Sequence, residues 1–125
     1  MLKLVSGVDL IEVERLREAM ANHGDRFLNR VFTSSELAEN IHKPESLAGR
    51  FAAKEAVAKA FGSGIGDVSW KEIEILRAES GQPHLVLHGA ADAKARELKI
   101  VSWSISISHT HDHALAFVVG ISNEA

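Results

Sequence analysis

Cysteine is absent from these 125 residues, so the chain forms no disulfide and offers no thiolate to a metal. That fits a reducing compartment, and the cytoplasm is expected. No apolar run approaches the ~20 residues of a membrane span. Met1–Val5 is soon interrupted by Ser6, Gly7 and Asp9, which predicts no secretory leader. Internal repeats and low-complexity segments are missing. A formal net charge of -3 argues against bulk binding to nucleic acid or to an anionic membrane, and leaves room for a local basic patch. There is no Walker A run, because Gly66 is followed by Asp67, and no strand leads into the Gly62–Gly66 loop as a dinucleotide fold requires.

What is present suits one domain spanning residues 1–125. The apolar fraction of 46% is enough for a core, and 25% charged residues is ordinary for a soluble chain. Leu2–Leu10 reads as a strand with Asp9 near its end. Val13, Leu16 and Met20 recur at helical spacing up to Gly24, and Arg26–Arg30 adds a further turn or two. Thr33 and Glu36 have capping-box spacing, and Pro44 ends the short helix that follows. A long helix is predicted from Ser46 to Phe61, closed by the Gly62–Gly66 loop. Trp70, Ile73 and Ile75 read as a strand, Glu79–Pro83 as a turn and His84–His88 as the returning strand. Ala90–Leu98 is helical by composition. Val101, Trp103, Ile105, Ile107 and His109 alternate with serines, the clearest period-two run. Thr110–Asp112 turns the chain into a last strand from His113 to Val119. The expected class is α+β, a largely antiparallel sheet packed with a long helix.

On the long helix, Ala48, Ala52, Glu55 and Lys59 share one flank at ~100° per residue, beside an apolar stripe of Leu47, Phe51, Ala58 and Phe61. Small residues next to a carboxylate and a lysine predict space for a metal-bound phosphate ligand. A plainer reading is an i,i+4 surface salt bridge between Glu55 and Lys59. Asp9 read alone is a helix N-cap. Lys54 falls close to the apolar stripe, where an ammonium needs a partner or must snorkel outward. Gly62, Ser63 and Gly64 read as a helix cap or as backbone approaching a phosphate. His109, His111 and His113 would share a face on a straight strand and suit zinc with Asp112, but a hairpin turn at Thr110–Asp112 would part them.

Gly7-Val-Asp9, Phe51-Ala-Ala-Lys-Glu-Ala-Val-Ala-Lys-Ala-Phe-Gly62 and Ile105-Ser-Ile-Ser-His-Thr110 occur in one order along the chain. With Arg26-Phe27, Arg30, Ser46–Arg50 and Gly81-Gln-Pro83, they give it a resemblance, over essentially its full length, to the short bacterial 4′-phosphopantetheinyl transferases, the holo-[acyl-carrier-protein] synthase family. The resemblance implies that fold, and transfer of 4′-phosphopantetheine from coenzyme A to a serine of apo acyl carrier protein, releasing adenosine 3′,5′-bisphosphate. It implies Mg²⁺ held by Asp9 and Glu55, with Lys59 on the pyrophosphate and Glu55 or a water taking the serine proton. It places Arg50, Lys54 and His109 on the nucleotide phosphates. Gly62, Ser63 and Gly64 would line the nucleotide pocket, with Pro83 and Thr110 nearby. Arg15, Arg26 and Arg30 would meet the acidic helix of the carrier, with Phe27 and Leu28 as an apolar anchor. A homotrimer with each site between two subunits is also implied. The chain departs from the family in two places: the 39–45 segment carries only Lys43 as a basic residue besides its histidine, and His111 stands where relatives have lysine. Phosphate binding is therefore expected to be weaker or more dependent on pH. The competing readings are a non-catalytic module binding coenzyme A or a carrier protein, which would not require the Asp9/Glu55/Lys59 set, and a histidine-ligated metal hydrolase.

Overall fold

The computed structural model describes residues 1–40 and 43–124. Its elements are β1 (Leu2–Glu12), α1 (Val13–Val31), α2 (Ser34–Asn40), α3 (Pro44–Ala60), β2 (Ile73–Arg77), β3 (Pro83–Leu87), α4 (Gly89–Glu97), β4 (Ile100–His109) and β5 (His113–Asn123). All strand pairing between these strands is antiparallel, in a three-stranded sheet ordered β1-β5-β4 and a two-stranded sheet β2-β3.

Period-two patterning sets the faces of the larger sheet. In β5, Ala114, Ala116, Val118, Gly120 and Ser122 are buried while their neighbours are more open. Ala114, Ala116 and Val118, with Trp103, Ile105 and Ile107, pack in the apolar clusters that include α3. Gly120 and Gly7 keep that inner face thin. A Cβ at Gly7 would overlap the carbonyl of Ala56, so only glycine lets β1 lie this close to α3.

α3 is therefore not an amphipathic surface helix. Leu47, Ala48, Ala52, Ala53, Ala56, Val57, Ala58 and Ala60 are all buried, and the alanines let strands approach from one side and β2 from another. This corrects one expectation: Ala48 and Ala52, both 0% exposed, make room for the sheet and not for a ligand.

Local signals held elsewhere. The Thr33/Glu36 box forms reciprocally, with Thr33 N–H donating to Glu36 Oε1 at 2.9 Å and Glu36 N–H to Thr33 Oγ1 at 3.2 Å. Gly24, at φ 51° and ψ -130°, is non-helical and divides α1 into two helical segments, matching the expected stop and the further turns over Arg26–Arg30. Two expectations fail locally. Trp70 is not in a strand: Ser69 and Glu72 form a second capping box that winds Trp70–Glu72 into a 3-10 turn, and Trp70 stacks on Phe51. Val101 leaves the inward face because the β4–β5 register slips between Ile100 and Ser102, which turns it outward, 69% exposed. Among the described residues, no helix is long and apolar enough to cross a membrane.

Candidate active site

Asp9 lies on the inner, α3-facing side of β1, two residues beyond Gly7. Lys59, near the end of α3, donates to Asp9 Oδ1 at 3.0 Å and to the Val8 carbonyl at 3.0 Å. Lys59 thus pairs across the fold with Asp9, and the simple helix-surface bridge to Glu55 is not the arrangement seen. Glu55 sits one turn before Lys59. Its carboxyl is pushed above the ordinary range, first by burial and then by the negative charge of Asp9, with Lys59 opposing. Asp9 and Glu55 line one pocket of about 350 Å³, walled by Leu16, Phe27 and Phe51, with Arg15 at its rim. Asp9 does not serve as a side-chain cap for α1, whose N-cap is Glu12.

The chemistry of this donor set fits a small hard cation. Two carboxylates close enough for one to hinder ionisation of the other are stabilised by a shared divalent charge, and Mg²⁺ binds one or two carboxylates while leaving positions for phosphate oxygens and water. The bound cation would supply charge neutralisation on a diphosphate.

Lys54, expected on a phosphate, is instead enclosed. Its side chain is 0% exposed, and its ammonium donates to Glu36 Oε1 (2.8 Å), the Trp70 carbonyl (2.9 Å) and the Ile73 carbonyl (2.6 Å). All three donors are used, so none is left for a ligand and the side chain does not snorkel. Burial lowers its proton affinity, and Glu36 counters that. Glu36 in turn accepts from Ile75 N–H at 2.9 Å, tying α2, α3 and β2 together.

Arg50, Pro83 and His109 do come together. With Ser46, Gly81 and Arg77 they line a second cavity of about 210 Å³. Arg50 is 6% exposed and its Nε is buried without a hydrogen-bond partner among the described residues. Its Nη2 lies 3.7 Å from Glu39, longer than a hydrogen bond. Sequence reasoning missed Arg77 and Glu39 here. An arginine ending a short strand carries no local mark of function, and neither neighbours Arg50 in sequence.

Thr110 closes the β4–β5 hairpin: its N–H donates to the His113 carbonyl, and its hydroxyl accepts from the N–H groups of Asp112 and His113. Gly62 and Gly64, at φ 87° and 72°, cap α3, their N–H groups donating to the Lys59 and Ala58 carbonyls. Those two N–H groups are thus spent on the helix end, and Ser63 between them is exposed. The turn at Thr110–Asp112 separates His109 from His113 along the chain, and no group of three potential ligands converges among the described residues.

Along α1, Arg26 and Arg30 are exposed beyond the kink, and Phe27 is half-buried against Phe32. Leu28 is 6% exposed in the core with Val13 and Leu16, so it is not an anchor. Arg17 is tied to Glu45 at 2.7 Å.

Comparison with known proteins gives a consistent picture. The family profile described as the 4′-phosphopantetheinyl transferase superfamily matches residues 6–118. A holo-[acyl-carrier-protein] synthase of Herpetosiphon aurantiacus is 50% identical over 125 residues, covering 94% of this chain and 98% of the relative. One from Natranaerobius thermophilus is 48% identical over 113 residues, covering 88% and 90%. The crystal structure of the Helicobacter pylori holo-[acyl-carrier-protein] synthase in complex with coenzyme A superposes with a TM-score of 0.85 at 34% identity, covering 92% of this chain and 98% of that one.

Proposed function

The chain belongs to the 4′-phosphopantetheinyl transferase superfamily, and from that premise we propose that it moves 4′-phosphopantetheine from coenzyme A to a serine of apo acyl carrier protein in a Mg²⁺-dependent reaction. The serine oxygen forms a bond to the β-phosphorus of the pyrophosphate. The bond to the bridging oxygen breaks, and adenosine 3′,5′-bisphosphate leaves. Negative charge spreads over the phosphoryl oxygens, so positioning and electrostatics carry such a transfer.

The observation that carries this reading is the meeting of Asp9, Glu55 and Lys59 at one end of α3. Asp9 and Glu55 would hold Mg²⁺. Lys59, half-exposed, would meet the pyrophosphate and stabilise its developing charge. The serine proton would pass to Glu55 or, since a carboxylate that holds Mg²⁺ is a weaker base, to water beside it. A binding module would have no use for a carboxylate pair set against a lysine. Arg50, His109 and Pro83 would take the nucleotide end, with Thr110 and the Gly62–Gly64 loop nearby. Arg15, beside the carboxylates, would lead the carrier protein in, with Arg26, Arg30 and Phe27 extending the contact along α1.

We further propose a homotrimer with each site between two subunits. Arg50 and Glu55 are ~140° apart around α3, and the two pockets have no lining residue in common. A neighbour's basic pocket facing this chain's carboxylates would solve that geometry. The outer face of the larger sheet offers the means: Leu2, Leu4, Val8, Leu10, Leu115 and Phe117 are 40–69% exposed in one strip.

The test incubates the protein with apo carrier protein, coenzyme A and Mg²⁺ and follows the phosphopantetheine mass gain. Transfer is expected, with loss of at least about 100-fold in Asp9→Ala and Glu55→Ala. Full activity in both variants would defeat the reading. Arg15→Glu is expected to raise KM for the carrier about tenfold and spare that for coenzyme A; equal weakening for both substrates would remove the assigned carrier surface.

A further inference from the structure

Arg77 ends β2, and its side chain is exposed at the basic cavity beside Arg50 and His109. Among the described residues its guanidinium has no hydrogen-bond or ion-pair partner, while its backbone N–H is anchored by Glu39 at 3.1 Å. The strand end is therefore fixed while the charged fork stays available. Across the cavity Arg50 is nearly buried, with its Nε unpaired. After burial itself, the like charge of Arg77 is the strongest influence holding the Arg50 guanidinium below its ordinary proton affinity. Two guanidiniums facing one small cavity repel. Of the two carboxylates that oppose this, Glu39 reaches Arg50 only at 3.7 Å and Glu36 is engaged by Lys54 and the Ile75 N–H. A dianion in the cavity would relieve the repulsion and satisfy the orphaned N–H.

The stretch leading into α3 has little positive charge of its own, since Lys43 stands there against Glu39 and Glu45. Arg77 brings a cation to the same place from a distant strand. The ligand chemistry follows from the rest of the substrate. The pyrophosphate must lie where bonds change, at Asp9, Glu55 and Lys59, which leaves the ribose phosphate as the other anion. A phosphate monoester dianion matches two planar forks.

Resting on the proposed function, we infer that Arg77 joins Arg50 in gripping the ribose 3′-phosphate of the nucleotide and sets the preference for 3′-phosphorylated over unphosphorylated nucleotides. Calorimetry with adenosine 3′,5′-bisphosphate and with adenosine 5′-monophosphate tests it on the intact protein. The wild-type chain binds the bisphosphate more tightly. Arg77→Ala weakens the bisphosphate by about tenfold and the monophosphate by less than about twofold, and Arg77→Lys recovers part of the loss. A wild-type chain indifferent to the 3′-phosphate, no change in Arg77→Ala, or an equal loss for both nucleotides overturns the inference. Failure of the transfer assay with the Arg77-dependent preference intact would instead overturn the proposed reaction and leave this site standing.

Discussion

At Lys54 an ammonium is held inside the protein by one carboxylate and two carbonyls. Removing it leaves Glu36 as a buried, uncompensated charge. Lys54→Met is expected to cost about 3–5 kcal/mol of stability in urea titration, with KM for coenzyme A unchanged in the fraction that remains folded. A raised KM at full stability would return Lys54 to the ligand. Glu55 makes the opposite case, a group destabilised in its charged form. Its folded proton affinity lies above the ordinary carboxyl value of 4.5, so in that window the folded chain keeps a proton that the unfolded chain has released. Without divalent cation, stability therefore falls as pH rises from 4.5 through the raised value. Glu55→Gln cannot ionise and lacks this fall. Its melting temperature should match the wild type near pH 4 and exceed it by a few degrees at pH 7, and added Mg²⁺ should narrow the gap only in the wild type. Neither role was legible at the residue itself. Glu36 lies 18 positions before Lys54, and Asp9 lies 46 before Glu55; only the family pattern linked the latter pair, and in the case of Lys54 it misled.

Elements were more transparent, because their signals are local. The Thr33/Glu36 box, the break between α2 and α3 at Pro44 and the serine alternation of β4 each announce themselves within a few residues. The failures at Trp70 and Val101 arose where a 3-10 turn and a register slip interrupt a period that continues in the sequence. What no local pattern revealed was the closeness of β1 and α3, which rests on Gly7 meeting the Ala56 carbonyl. Gly7→Ala forces these elements apart and carries Asp9 with β1. A loss of about 3 kcal/mol is expected by thermal or chemical unfolding. The kcat of the folded enzyme should fall further than KM changes, because Asp9 moves relative to Glu55. Ser6→Ala, on the outer face one residue away, should stay within about 0.5 kcal/mol of the wild type.

For the whole molecule, the fold class was readable from the order of elements, while the division of the expected nucleotide residues into two separate pockets was not. That division follows from the angular offset of Arg50 and Glu55 on one helix enclosed on several sides. If a working site joins the carboxylates of one subunit to the basic cavity of the next, two different inactive chains can repair each other. Glu55→Ala and Arg50→Ala, each inactive alone, should regain about a quarter of native activity when unfolded together and reassembled in equal amounts, since one interface in four then pairs two intact halves by random mixing. No recovery in mixed assemblies would mean that each chain works by itself.

Leu10 lies opposite Leu115, and Val8 opposite Phe117, on the open side of the larger sheet. An enzyme that hides such a ridge only through its own copies ties solubility to abundance. When scarce, it would lose partners, leave greasy strands wet and become prey to clumping, so that low expression and poor folding would resemble one defect.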